Sequence, residues 1–305
     1  MSPPTPTPKP NPTITLSTAL PADLHALATL ECLTFYDDSF SVVAWGPNRA
    51  SEQAISGRAS QFASSDAAPA EGTATEPRGY RTITKATLGE TSEIVGFAEW
   101  KFSLNRDVQK EKADEAKKAA ESQKKHESEH EQTEQQIREE QEKIWGVGAN
   151  VKFCEDVFLT ADKIMIDSCG GKDYCSVFFS SSSSSFRFYF FKSSFPFLFS
   201  FLKSRALISC VELTTLAITP AHQRHGYGTQ LLLAGLAQAD EMGIQTILAA
   251  SPEGEPLYRR FGFEEVDVMN LKLWEYENGE AFTEESGMGW MRHVIMRRPA
   301  VVPGA

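Results

Sequence analysis

The sequence has no excess of positive charge, few cysteines and little that could span a membrane, and each shortage excludes a class of protein. Its 30 Lys and Arg residues are outnumbered by 41 Asp and Glu residues, and the formal net charge is −11. Nucleic-acid-binding domains usually present a basic face, so we expect no nucleic acid as the main partner. The 305 residues are 41% hydrophobic, which is enough to build a sizeable core.

The cysteines are too few and too irregularly spaced for a metal site or a disulfide framework. There are five, namely Cys32, Cys154, Cys169, Cys175 and Cys210. The spacing of Cys169 and Cys175 fits no common zinc pattern. Reduced, mostly buried thiols are typical of the cytoplasm, so we expect a cytoplasmic protein without a metal, and the nucleus stays open as an alternative.

The first twelve residues predict an extended, disordered tail. They include prolines at positions 3, 4, 6, 8, 10 and 12 and contain no apolar core of the kind found in signal peptides. We therefore expect no signal peptide here. The remaining residues, 13–303, are interpreted as a single domain.

The most informative stretch runs from Glu212 to Phe263. An apolar run typical of a buried strand, residues 213–218, leads through Thr219-Pro220 into a glycine-bearing turn, and leucines at helical spacing follow. Such a turn leaves several N–H groups of the helix start without partners. Together with the helix dipole these groups form a site for phosphate or pyrophosphate. Gly226 and Gly228 suit it because a side chain there would keep the ligand off the backbone.

Two motifs in this stretch carry a resemblance to a known family. Gln223-x-x-Gly226-x-Gly228 is followed by a second short strand, and then by Leu257-Tyr258 and Gly262-Phe263. Over about 50 residues this order and spacing resemble the acetyl-CoA-binding core of the GNAT superfamily of N-acetyltransferases. The resemblance implies an α/β GNAT fold, with a mixed central sheet, helices on both faces and a splayed acetyl-CoA cleft.

The resemblance also implies a reaction and a set of binding residues. The reaction is transfer of an acetyl group from acetyl-CoA to a primary amine of a small molecule or protein, by direct attack in a ternary complex and without a metal. Backbone N–H groups of the central strand would contact the acetyl and pantetheine parts, and these are Leu216, Ala217 and Ile218. The pyrophosphate would lie on the turn formed by Gln223, Arg224, His225, Gly226, Tyr227, Gly228 and Thr229.

Two side chains are candidates for the proton transfers of this reaction. Tyr258 stands where the family often has a general acid, and a phenol there could protonate the departing thiolate. The alternative is a tyrosine that only packs on the cofactor arm. Glu212, interpreted as the start of the central strand, is the candidate base, because some members of the family have a catalytic glutamate there. The alternative is an ordinary carboxylate at a strand end.

The rest of the chain predicts the other elements of the same fold. We expect a first strand near 13–16, a helix over residues 20–36, an acceptor-side loop over 35–45 and a short helix within 51–77. Further predictions are a hairpin of 80–87 and 93–102, a core helix over 150–167, and two final strands at 271–276 and 292–298.

Two segments interrupt this pattern. Residues 107–143 contain 12 acidic and 8 basic side chains, which favours a charged helical or disordered insertion. Residues 176–201 contain ten Phe and ten Ser. Arg187, Lys192 and Pro196 interrupt this second segment, so it does not predict a membrane span. Phe and Ser codons are pyrimidine-rich, and we hypothesise that residues 171–211 contain a retained intron. Sequencing of the spliced transcript tests this.

Two further interpretations of function stay open on the sequence alone. One is a catalytically silent CoA-binding or scaffold protein, and the other is an interaction protein that uses the charged segment 107–143. The enzyme interpretation has acetyl-CoA and an amine as partners and expects a monomer or homodimer.

Overall fold

The computed structural model describes residues 13–63, 79–89, 91–106, 141–142, 144–168, 208–283 and 289–301. The predicted tail, nearly all of the charged segment 107–143 and residues 169–207 lie outside the described residues. The predictions for those parts therefore stay predictions.

In the described part, seven strands form one sheet in the order β1-β2-β3-β4-β5-β7-β6. The strands are β1 (Ile14–Thr18), β2 (Gly79–Leu88), β3 (Ile94–Arg106), β4 (Ile208–Ile218), β5 (Thr246–Ala250), β6 (Glu264–Lys272) and β7 (Trp290–Arg298). The helices are α1 (Leu24–Thr34), α2 (Ser39–Trp45), α3 (Glu52–Ala63), α4 (Val151–Ser168), α5 (Tyr227–Glu241) and α6 (Glu255–Arg259). Short 3-10 turns cover Pro21–Asp23, Gly46–Asn48, Pro220–His222 and Leu273–Glu275.

The sheet is mixed, with one parallel pair at its centre. Strand β4 pairs antiparallel with β3 and parallel with β5, and the other neighbouring strands are antiparallel. Parallel neighbours need a crossover connection, and α5 supplies it between β4 and β5.

Helices cover both faces of the sheet. On one face, which we call the α5 face, Val211 and Leu213 pack with Leu231, Leu232 and Leu236 of α5. The opposite face carries two clusters, one with α1 and α3 against β2–β4, and one with α2 and α4 against β4–β7. The predicted fold class, a mixed α/β sheet with helices on both faces, is confirmed.

Three boundaries differ from those expected from the sequence. Residues 35–45 are not a loop throughout, because α2 forms within them once Asp38 Oδ1 accepts the N–H of Phe40 (2.7 Å). The strand predicted over 271–276 forms instead at Glu264–Lys272. The exposed polar residues of this edge strand interrupt its apolar alternation, so the sequence pattern did not indicate it. The central strand begins at Ile208, within the suspected 171–211 insertion, so Glu212 lies in its interior.

Helix α4 is attached through Asn150 to the segments on either side of it. The N–H of Asn150 donates to Ala44 O at 2.7 Å, and its Nδ2 donates to Glu277 O at 3.0 Å. Asn150 Oδ1 also accepts the N–H of Phe153 (3.1 Å), which caps the helix. This one residue, through its backbone N–H and its side chain, thus joins α2, α4 and the β6–β7 connection.

Candidate active site

Strands β4 and β5 pair over only two positions and then separate. The registered pairs are Val211 with Thr246 and Glu212 with Ile247. On its other edge β4 stays paired with β3 as far as Ile218 opposite Gly96. Between Glu212 and the end of β4, no described residue pairs with the β5 side of the strand, so the centre of the sheet opens there.

Backbone groups of β4 point into this opening. The N–H of Thr219 donates to Val95 O on β3 (2.9 Å). Because N–H groups alternate between the two edges of a strand, those of Ile218 and Leu216 point toward the opening. Ala217, the third residue of the predicted set, turns its N–H toward β3.

The glycine-bearing turn lies directly after β4. Arg224 and Gly226 have positive φ angles of 64° and 83°, and α5 begins at Tyr227. Gly226 is the N-cap residue of α5 and has no side chain with which to cap the first turn. The first N–H groups of α5 therefore stay available to a ligand. A Cβ on Gly226 would have no atom within 4 Å, so the space beside the turn is open.

The turn, the opening and helix α6 lie together. A Cβ on Gly228 would contact Ile218 and Leu216 of β4 and Leu257 of α6, at 3.8 to 4.0 Å. Gln223 Nε2 donates to Ile218 O (3.1 Å), which ties the turn to the end of the strand. The two sequence motifs, residues 223–228 and 257–263, thus lie together at one site.

This segment also matches a known family. Residues 199–265 match the model of the acetyltransferase (GNAT) domain. The match is about a fifth of the chain, and it spans β4, the turn, α5, β5 and α6, which are the elements that build the opening. We call residues 199–265 the GNAT segment.

Solved acetyltransferase structures share similarity with the chain at low identity. A Corynebacterium glutamicum protein described as histone acetyltransferase HPA2 and related acetyltransferase is 15% identical, over 96% of this chain and 99% of that one, with a TM-score of 0.46. A mosquito arylalkylamine N-acetyltransferase-like protein 5b is 13% identical over 94% and 99%, also at 0.46. The PaiA N-acetyltransferase of Thermoplasma acidophilum, solved with coenzyme A, is 12% identical over 94% and 99%, at 0.36. No curated protein sequence matches the chain.

Tyr258 lies in the GNAT segment on the α5 face. Its ring packs against Phe263, with 5.7 Å between ring centroids, and only 9% of the residue is exposed. Burial raises the pKa of its phenol above the ordinary value. Among the described residues its hydroxyl has no hydrogen-bond partner, so its proton is available to a ligand.

Glu212 lies on the opposite face of the sheet from Tyr258. Its neighbours Val211 and Leu213 pack in the same cluster as Tyr258, and side chains alternate along a strand, so the carboxylate points to the other face. It is 3% exposed, and its Oε2 lies 3.8 Å from Lys101 Nζ. The structure therefore brings both candidates to the central strands but not into contact with each other.

The two histidines of the turn have local partners. His222 Nδ1 lies 2.9 Å from Thr219 Oγ1, and His225 Nδ1 lies 2.8 Å from Gln223 O. The His225 ring also stacks on Tyr227 at 5.6 Å between centroids. These contacts stabilise the turn.

Sequence reasoning missed a group of charged residues on the β3 side of β4. Glu99 of β3 is 1% exposed and is bonded to both Arg58 and Arg81. The signal that could have found it is a carboxylate within an otherwise apolar strand, in the run Phe97-Ala98-Glu99-Trp100. Its partners come from separate helices and strands, and no local pattern indicates them.

The described residues present neither a metal-binding group nor a membrane-spanning helix. No group of three or more His, Cys, Asp or Glu side chains within them is arranged to hold a metal ion. No helix in the described ranges is both long enough and apolar enough to cross a membrane.

Proposed function

We propose that the chain is an acetyl-CoA-dependent N-acetyltransferase that transfers acetyl to a primary amine of a small molecule or a protein. The observation that carries the proposal is the opening between β4 and β5, with the glycine-bearing turn at its end and both in the GNAT segment. The amine would attack directly, and the protein would form no covalent intermediate.

The fit of acetyl-CoA to this region follows from its chemistry. Pyrophosphate needs several N–H donors pointing one way, and the first turn of α5 after Gly226 offers them. The amide-containing pantetheine arm needs an extended edge of backbone groups, and β4 offers the N–H groups of Leu216 and Ile218 along the opening. The exposed Arg224 adds positive charge beside the phosphates.

The two catalytic candidates suit the two proton transfers of the reaction. The amine loses a proton as it attacks, and the sulfur gains one as it leaves. Glu212, on one face of the sheet, would accept the proton from the amine, either directly or through a water. On the other face, Tyr258 would donate its proton to the sulfur, since its raised pKa keeps the phenol protonated.

The buried ammonium of Lys101 bears on the role of Glu212. Its Nζ lies 3.8 Å from Glu212 Oε2, which gives the carboxylate a fixed neighbour in the apolar interior.

The test is an assay of thiol release from acetyl-CoA with a series of primary amines. Tyr258→Phe and Glu212→Gln should each lower kcat, by roughly 10²–10⁴-fold, the usual range for general acid–base catalysis. Tyr80→Phe is the matched control, because Tyr80 also has a pKa raised by burial but lies on β2, stacked on Phe102. Unchanged turnover in both test variants would contradict the proposal and favour a silent CoA-binding protein.

A further inference from the structure

Four charged side chains form a partly buried cluster on the β3 side of β4, and we call Glu31, Arg58, Arg81 and Glu99 the ion cluster. Glu99 accepts from Arg58 Nη2 at 3.3 Å and from Arg81 Nη1 at 3.2 Å. Its neighbours along β3, Ala98 and Trp100, are fully buried. Removing charges from water is costly, so such a cluster needs a compensating role.

The cluster is balanced and joins four elements. Arg58 of α3 holds Glu31 of α1 through two nitrogens of its guanidinium, with Nε donating to Oε2 at 2.6 Å and Nη2 to Oε1 at 3.0 Å. Arg81 lies on β2 and Glu99 on β3, so two positive and two negative groups connect two helices to two strands. A guanidinium that bonds a carboxylate through two N–H groups fixes the orientation of both side chains as well as pairing their charges.

The cluster is attached to an irregularity of β4. Glu99 is registered with Thr215, and the next residue, Trp100, is registered with Leu213. Thr214 is therefore an extra residue in β4, which makes a β-bulge. Thr214 Oγ1 donates to Glu99 O at 3.0 Å, and Thr215 Oγ1 donates to Glu31 Oε1 at 3.3 Å. Both hydroxyls of the bulge thus bind residues of the ion cluster.

The bulge decides which groups of β4 point into the opening. Thr214 lies two residues after Glu212, the last residue of β4 paired with β5. If Thr214 were no longer bulged, every later residue of β4 would shift by one position relative to β3. A shift by one residue turns each N–H group to the other edge of the strand and each side chain to the other face of the sheet. The N–H groups of Leu216 and Ile218 would then point toward β3 instead of toward the opening.

We propose that the ion cluster positions the bulge of β4, and through it the N–H groups that bind the acetyl-CoA arm. Glu31, Arg58, Arg81 and Glu99 act as positioning residues, and Thr214 and Thr215 transmit their effect to the backbone. The kinetic consequence rests on the proposed function, whereas the effect on the β4 backbone does not.

The test compares Thr215→Val and Glu31→Gln with a matched control. Thr215→Val keeps the shape of the side chain and removes the hydroxyl, and Thr215→Ser keeps the hydroxyl. Thr82→Val is the control, because Thr82 on β2 has a buried hydroxyl with no hydrogen-bond partner among the described residues. Two readouts are used for each protein, namely steady-state kinetics with acetyl-CoA and amide hydrogen exchange without any ligand.

In the kinetic readout, Thr215→Val and Glu31→Gln should raise the KM for acetyl-CoA about tenfold, equivalent to the loss of one hydrogen bond to a charged group. Thr215→Ser and Thr82→Val should stay near the unaltered protein. An unchanged KM in Thr215→Val and Glu31→Gln, or an equal rise in the Thr82→Val control, would overturn the proposal.

Hydrogen exchange separates this inference from the proposed function. In Thr215→Val and Glu31→Gln the amides of Thr215, Ala217 and Thr219 should exchange at least about tenfold faster, while amides of β6 and β7 keep their rates. Faster exchange throughout the protein, or none in β4, would overturn the positioning role. If the unaltered chain transfers no acetyl group, the proposed function fails, and this readout alone decides the inference.

Discussion

Trp100 of β3 packs against Gly235 of α5 so closely that a Cβ on Gly235 would lie 2.0 Å from Trp100 Cε2. Both residues are buried, and Trp100 is fully enclosed. The contact brings the axis of α5 near the sheet and so fixes where the turn at its start lies relative to β4.

Gly235→Ala should therefore destabilise the fold. Alanine favours a helix by about 1 kcal/mol over glycine. Overpacking against a rigid indole costs typically about 1–3 kcal/mol and should outweigh that gain. Urea unfolding measures the difference, and Trp100→Phe in the same background should recover part of it. A Gly235→Ala protein as stable as the parent would show that the close contact is absent.

Gly226→Ala should weaken acetyl-CoA binding. A Cβ there enters the open space beside the turn and strains a backbone with a φ of 83°. Gly243→Ala is the matched control, because Gly243 also has a positive φ (63°) and lies at the far end of α5. Both variants should lose about 1 kcal/mol of stability, but only Gly226→Ala should lose affinity in a calorimetric titration. Equal affinities would remove the turn from the binding site.

Tyr258 predicts a specific pH dependence. Burial raises the pKa of its phenol, so the folded protein keeps that proton after an unfolded chain has lost it. The stabilisation is fully present below the unfolded value near 10 and is lost as the pH rises toward the folded value. The kcat of the unaltered protein should have no alkaline limb from Tyr258 below about pH 10. A limb below that pH that disappears in Tyr258→Phe would contradict the raised pKa.

Asn150 should matter for stability through three contacts. Asn150→Ala loses the cap of α4 and the donation to Glu277 O, at a cost of about 1–3 kcal/mol. Asn150→Asp keeps an oxygen for the cap and loses only the Nδ2 donor, so its loss of stability should be smaller. Thermal unfolding of the three proteins gives the order. If Asn150→Asp were less stable than Asn150→Ala, the cap would not be the larger contribution.

The sequence alone predicted those features of the site that depend on residues close together in the chain. The turn around Gly226 and Gly228, the helix after it and the phenol of Tyr258 follow from short motifs, and the structure brings them together. The sequence did not predict helix α2, because its apolar residues are compatible with a loop that lines the acceptor site as well as with a helix. The side chain of Asp38, which accepts the N–H of Phe40, favours the helix.

Features that depend on distant segments could not be predicted. The ion cluster takes Glu31, Arg58, Arg81 and Glu99 from four elements, and each residue alone is an ordinary charge. The bulge at Thr214 depends on how β3 and β4 register, which no pattern within β4 indicates. The position of Glu212 in the interior of β4 depends on residues 208–211, which the sequence assigned to an insertion.

The most direct measurement is calorimetric titration of the chain with acetyl-CoA and, separately, with S-acetyl-pantetheine, which has the same thioester arm and no phosphates. The account predicts one-to-one binding of acetyl-CoA and binding at least about 100-fold weaker without the phosphates, or a loss of some 2.7 kcal/mol. Equal affinities for the two would contradict the phosphate turn. No binding of acetyl-CoA at about 1 mM would contradict the acetyltransferase proposal itself.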